Sequence, residues 1–245
     1  MRIAITRAVS PRIAECELTW LERQPIDFAL AAEQHDAYER ALASLGCTIV
    51  RVADAPDMPD GVFVEDAAVV LDDVAIIARP GAESRRGETA AVAEVLKNYR
   101  PLRAIEAPGT LDGGDVLVAG GRMFVGLSRR TNLHAVEQLG ATAVTFRGCL
   151  HLKSAVTQIA EGKLLFNPDY VDAFPGFECI AVDPSEPHAA NALPVGDVLI
   201  YSASFPRTRR ILESRGFRVH AIDVSELEKA EAGVTCCSLQ LTDNS

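Results

Sequence analysis

Apolar and polar positions recur in one order along the chain. In "VFVEDAAVVLDDVAIIARPGAESRRGETAAVAEVL", acidic residues precede a short apolar run, a pair of aspartates interrupts it, and a second apolar run follows. After Ser-Arg-Arg the apolar residues recur at spacings of three and four. "LDGGDVLVAGGRMFVGLSRRTNLHAVEQL" repeats that order with "GG" in place of "DD". Short apolar runs joined by turn-forming residues predict β-hairpins, and the wider spacing predicts a helix. Each segment therefore reads strand, strand, helix. "HLKSAVTQIAEGKLLFNPD" holds a third hairpin turning at Glu161 and Gly162, and "ANALPVGDVLIYSASFPRTRRILESRGFRVHAI" predicts a fourth unit followed by another strand. "RIAIT" near the start and "CSLQL" near the end are each half a unit.

Orphan half-units at opposite ends close most simply on one another, the last strand pairing beside the first. The prediction is an α/β fold, a propeller of about five strand-strand-helix units forming one domain over residues 1–245. Such a ring points the starts of its hairpins towards one axis. Glu65 and Asp66, Asp112, His151, Asn191 and Cys236 stand at those starts.

Composition narrows the function. A chain of 245 residues, 48% apolar and 24% charged, can bury a full core. A formal charge of −10 argues against a nucleic-acid partner and favours a small cationic ligand. No apolar run reaches the length of about 18 residues that would suggest a membrane span, and "MRIAITRAVSPR" lacks the basic and apolar regions of a signal peptide. These features predict a cytoplasmic chain with no membrane partner. The six cysteines form no CxxC pair and no zinc spacing, so free thiols and no metal are expected. Oligomeric state is not legible, a homodimer being one outcome.

A thiol becomes a nucleophile as thiolate, and a cationic neighbour or substrate lowers its pKa. Cys236 is the candidate, and strand alternation would let only one of Cys236 and Cys237 face the axis. His151 opens "HLKSAV", where an imidazole can serve as general acid and base. His35, His134, His188 and His220 fall in helical or loop contexts. Gly113 and Gly114 after Asp112 permit either a tight turn or close backbone approach. Asp60, Glu65 and Asp66 in "PDGVFVED" form an acidic loop, and carboxylates beside a thiol suit a guanidinium group. From the repeated Ser-Arg-Arg, Arg85 or Arg86 and Arg129 or Arg130 could clamp a carboxylate at the ligand's other end.

The ordered motifs "FVEDAAVV", "RPGAESRRGE", "LDGGDVLVAGGRMFVGLSRRTN", "HLKS" and "SELEKAEAGVTCCS" resemble the dimethylarginine dimethylaminohydrolases of the guanidino-modifying superfamily. The resemblance covers nearly the whole chain. It implies a five-bladed α/β propeller (the pentein fold), no metal or organic cofactor, and hydrolysis of Nω-methylated arginine to citrulline and an amine. It further implies Cys236 as nucleophile, His151 as general acid and base, and Asp112 as the carboxylate oriented on the guanidinium. Asp60, Glu65 and Asp66 would belong to the binding loop, and Arg85 and Arg130 would hold the α-carboxylate. Leu18 matches a backbone contact to the substrate's amino-acid end, and Ala230 a substrate-binding backbone contact near the nucleophile.

Arginine deiminases of the same superfamily usually carry an inserted helical region and read "FxRD" and "HLD" where this chain has "FVED" and "HLKS". A citrulline hydrolase or another small guanidino hydrolase remains an alternative, as does a binding protein with Cys236 and Cys237 as a regulatory thiol pair. Zinc inhibition at Cys236 and His151 would be compatible with each.

Overall fold

The computed structural model describes residues 1–243 and holds five three-stranded sheets. The chain opens with β1 (Arg2–Thr6), crosses through α1 (Phe28–Ser44) and lays β2 (Cys47–Arg51) parallel to β1. The second unit comprises β3 (Ala68–Val70), β4 (Ala75–Ile77), α2 (Thr89–Leu96) and β5 (Leu102–Ala104). The third comprises β6 (Val116–Ala119), β7 (Arg122–Leu127), α3 (Leu133–Leu139) and β8 (Thr142–Thr145). The fourth starts with a helical turn, α4 (Leu152–Ala155), and continues through β9 (Val156–Ala160), β10 (Lys163–Phe166) and β11 (Glu178–Ala181). An irregular connection replaces its crossover helix. The fifth runs β12 (Ala192–Val195), β13 (Val198–Ser202), α5 (Pro206–Ser214) and β14 (Arg218–Ile222). After α6 (Ser225–Glu228), β15 (Leu239–Thr242) pairs antiparallel with β1, Arg2 opposite Thr242, and completes the first sheet.

Local chemistry explains these elements. Gly120 and Gly121 have φ of 55° and 69°, the left-handed pair that a two-residue turn between β6 and β7 requires. The Asp27 side chain accepts from the N–H groups of Ala29 and Leu30, capping α1. Each sheet has a third strand parallel to the middle one; of these the sequence predicts only β14, the strand read after the fourth hairpin unit. β5 shows why such strands evade a hydrophobicity pattern: Leu102, Arg103 and Ala104 are all exposed.

The ring is closed. β15 packs against β3, β6 against β9 and β9 against β12, and an isolated bridge from Arg79 to Leu111 links the second unit to the third. An axial cavity of about 280 Å³ is lined by residues from β3, β6, β9, β12 and β15. Glu65, Gly113, Lys153 and Thr235 line it as well. Every inner strand is preceded by a corner segment, so the acids, the imidazole and the thiol of the motifs arrive at one end of the axis. No helix among the described residues is long and apolar enough to cross a membrane.

Candidate active site

His151 is 4% exposed and stands between two carboxylates. Its Nε2 lies 3.2 Å from Asp112 Oδ2 and its Nδ1 3.6 Å from Asp66 Oδ1. Peptide donors fix both acids: Gly81 N–H donates to Asp112 Oδ1 and Gly114 N–H to Asp66 Oδ1, each at 3.0 Å. Gly114 is there for close approach. A Cβ at this position would stand 2.5 Å from His151 Nδ1 and 2.7 Å from Asp66 Oδ1. Asp115, in the same corner, accepts from Leu152 N–H at 3.0 Å and from the Ser128 hydroxyl at 2.6 Å, which fixes the peptide following His151.

Burial alone would discharge His151, but Asp66, Asp115 and Asp112 outweigh it and raise its pKa to about 9. Burial likewise pushes Asp66 upwards, yet the His151 and Arg85 charges and the Arg85 and Gly114 donors bring it down to about 2. At neutral pH this is an imidazolium beside a carboxylate. Asp115 is pushed up to about 6 by burial, against the pull of His151 and the Ser128 hydroxyl.

Cys236 is half-buried in the turn ahead of β15. Its Sγ accepts from Gly233 N–H at 3.3 Å, and its carbonyl accepts from Glu65 N–H at 3.1 Å. Glu65 pairs with Lys153 Nζ at 2.6 Å and accepts from the Thr235 hydroxyl at 2.8 Å. Asn191 closes this frame, accepting from Thr235 N–H at 3.0 Å and donating to Lys153 O at 3.1 Å. Cys237 is 2% exposed in the core that also contains Tyr38. Both cysteines precede β15 in a turn and pack on the same core cluster, Cys237 buried and Cys236 half-buried, so strand alternation does not set their directions. Burial first, then Glu65, Asp66 and Cys237, push the Cys236 thiol well above its ordinary range, and the Gly233 N–H only partly opposes this.

Of the candidate arginines, Arg85 and Arg130 are buried, whereas Arg86 pairs with Glu83 at the rim and Arg129 lies over the Trp20 ring. Arg85 donates to Asp66 Oδ2 at 2.7 Å and to Glu88 Oε2 at 2.9 Å. Arg130 Nη1 lies 3.6 Å from Asp112 Oδ2 and is buried with no hydrogen-bond partner among the described residues. Asp60 is buried, accepts from Glu17 N–H at 3.1 Å, and has its pKa raised by that burial despite Arg85 and Arg130. Leu18 and Cys236 both pack, partly buried, against the core cluster that holds Ala230.

The family model for N,N dimethylarginine dimethylhydrolase, eukaryotic, matches residues 14–158. The N(G),N(G)-dimethylarginine dimethylaminohydrolase of Streptomyces coelicolor is 42% identical over 98% of this chain and 97% of its own length. The chain belongs to the dimethylarginine dimethylaminohydrolase family. The Pseudomonas aeruginosa member, solved as a cysteine-to-serine mutant complexed with citrulline, superposes with a TM-score of 0.90 at 34% identity, covering 97% of this chain and 98% of that one. A second family structure, a variant's adduct with S-methyl-L-thiocitrulline, gives a TM-score of 0.91 at 34% identity, covering 98% of this chain and 100% of that one.

Within this family frame the site contains residues that the motifs alone did not single out. Glu88 shares Arg85 with Asp66, Asp115 supports His151, and Lys153 pairs with Glu65. Glu88 lies three residues after Arg85 in "ESRRGE", a spacing that does carry a pairing signal on a helical turn. Asp115 and Lys153 act across units, which local spacing cannot express. His220, expected in a helix or loop, lies on β14. Asp66, Asp112 and His151 bring donor atoms within 4.8 Å of one another, as do His35, Asp36 and Glu39. In the first group protein N–H donors already engage both acids; in the second the Arg51 guanidinium pairs with Asp36 and Glu39.

Proposed function

We propose that this chain hydrolyses Nω-methylated L-arginine, both asymmetric dimethylarginine and monomethylarginine, to L-citrulline and dimethylamine or methylamine. One observation carries the reading: a buried imidazolium held between Asp66 and Asp112 at the corner where Cys236 lies, in a member of this family. The relatives' complex with citrulline and adduct with S-methyl-L-thiocitrulline support it. This makes the chain a hydrolase acting on the C–N bonds of amidines.

In this reading Asp66 and Asp112 hold the substrate's guanidinium, and Arg130, whose Nη1 has no hydrogen bond among the described residues, takes the α-carboxylate. The Cys236 thiolate adds to the central carbon. His151 gives its proton to the departing amine, the C–N bond breaks, and a thiouronium ester remains on Cys236. His151, now neutral, takes a proton from water as the oxygen bonds to carbon; the C–S bond breaks and citrulline leaves. The carbon is cationic at the outset, so carboxylates stand where acyl transfer would need an oxyanion hole. No step is assigned to a cofactor. A reducing, cytoplasmic setting suits a thiol nucleophile, and the closed ring supports treating residues 1–245 as one catalytic domain.

The test is a substrate panel of arginine, monomethylarginine, asymmetric dimethylarginine and citrulline, with citrulline and released amine both quantified. Citrulline with dimethylamine or methylamine in equal amounts is expected. Ammonia release from arginine at higher kcat/KM would make the chain a deiminase, and no release from any compound would sink the reading.

A further inference from the structure

Residues 17–27 form neither helix nor strand, and they run from a first short turn to α1 alongside the site. Their flanks are tied to site residues and to α6. Glu17 N–H donates to the Asp60 carboxylate and the Ser84 hydroxyl to Glu17 Oε1, while Lys229 Nζ donates to Pro25 O at 3.1 Å and Asp27 N–H to Glu226 Oε2 at 2.9 Å. The middle of the segment has little packing of its own. Trp20 is 51% and Leu21 38% exposed, and a cavity of about 600 Å³ lies between these two side chains and Asn191, Gly233 and Val234.

One carboxylate holds this middle part. Glu231 accepts from the backbone N–H of Thr19 at 2.9 Å and from those of Trp20 and Leu21, bridging more than 200 residues of sequence. Its own backbone has a φ of 60°, the left-handed conformation that disfavours side-chain-bearing residues other than Asn and Asp. A glutamate kept in that conformation, five positions ahead of Cys236, indicates that its side chain is used.

We propose that Glu231 is a positioning residue that latches the Leu18–Leu21 segment to the turn carrying the nucleophile, and so fixes the backbone that meets the substrate's amino-acid end. The inference rests on the reading of the site given above. Three consecutive peptide donors converging on one carboxylate define the segment's path, and Leu18 lies directly before them. The Glu231 carboxylate is fully engaged by the segment and touches no reacting atom, so its removal should be felt in binding and not in the chemical step.

The experiment compares wild type with Glu231→Gln, which keeps one acceptor oxygen and turns a donor towards the peptide N–H groups. Glu231→Gly is the second variant; it suits the left-handed backbone and guards against misfolding. Two readouts are taken. Acrylamide quenching of Trp20, the chain's one tryptophan, together with amide exchange over residues 17–24, needs no substrate. Steady-state kinetics on asymmetric dimethylarginine supplies the other. In both variants we expect exchange at residues 19–21 to quicken by about tenfold or more, and quenching to rise by about twofold. KM should rise by about tenfold while kcat changes by less than about threefold. Exchange and quenching unchanged from wild type would overturn the latch, as would a loosened segment with an unchanged KM. An inactive wild type would overturn the hydrolase reading while the quenching and exchange results still decided whether Glu231 holds the segment.

Discussion

The two Ser-Arg-Arg copies are alike in sequence and differ in what their arginines do. In the second unit Arg85 spends its guanidinium on the protein: Asp66, Glu88 and the carbonyls of Asp60 and Phe63. In the third unit the buried Arg130 pairs through Nη1 with Asp112 at 3.6 Å, with no hydrogen bond on that nitrogen among the described residues. Both units thus carry a Ser-Arg-Arg, but the second buries its first arginine, Arg85, and the third its second, Arg130, and the neighbouring acids differ. Glu88 marks the difference. The second unit supplies a buried acid two residues after its Ser-Arg-Arg, where the third has Asn132, whose side chain caps α3.

Arg85→Ala should give the largest effect, because it leaves Glu88 buried without its paired cation and Asp66 with His151 alone. A loss of about 3–5 kcal/mol in folding stability is expected, together with most activity. Denaturant unfolding and calorimetry read it, and a fully stable Arg85→Ala variant would place the guanidinium on the ligand's side. Arg130→Ala should instead leave the unfolding midpoint nearly unchanged and cost about 2–5 kcal/mol in kcat/KM, chiefly through KM. Kinetics at saturating substrate separate the two variants. Equal losses of stability in both would erase the comparison.

The pH dependence of folding sharpens the same contrast, since the Arg85 cluster contains titrating partners. His151 has its pKa raised from 6.5 to about 9, so its contribution is complete below about 6.5 and is lost as pH rises through about 9. Asp66 is lowered from 3.8 to about 2, so its contribution is present above about 3.8 and is lost as pH falls through about 2. Urea midpoints measured from pH 6 to 10 should decline across the upper part of that range in wild type. The decline should flatten in His151→Asn. A midpoint that rose with pH would reverse the assigned sign. The smallest effects belong to the rim arginines: Arg86→Ala and Arg129→Ala should each change stability by less than about 1 kcal/mol and leave KM within about twofold. A large KM change in either would move the clamp to the rim.

Which parts of this were legible in the sequence follows from the range over which each signal acts. The hairpins were legible because turn residues and apolar runs are local: Gly120 and Gly121 announce their turn directly. The convergence of Asp66, Asp112, His151 and Cys236 was legible through repetition, since equivalent positions in a ring point to one axis. Apart from β14, read as the strand after the fourth unit, the third strands were not, because short exposed segments such as Leu102–Ala104 carry no burial pattern. α1 was also missed, its buried face mixing Gln34, His35 and Glu39 with Ala31, Tyr38, Ala41 and Leu42. The partner choices of Arg85 and Arg130, the Glu65–Lys153 pair and the three donors on Glu231 depend on contacts between distant units, which no local spacing records.

The central claim is that this site is charged for a cation. Its acids keep His151 protonated, burial and then those acids keep Cys236 neutral until a guanidinium arrives, and the substrate's own charge then favours the thiolate. Thiolate absorbance near about 240 nm measures this directly, taken as a difference between wild type and Cys236→Ser and titrated with and without a cationic arginine analogue that is not turned over; a shift of one unit corresponds to about 1.4 kcal/mol. Cys237→Ser should give the wild-type curve. The account predicts a neutral Cys236 thiol at pH 7 in the free protein and a lower pKa with the ligand bound. A Cys236 already ionised well below neutral pH without ligand would contradict it and establish a standing ion pair with His151.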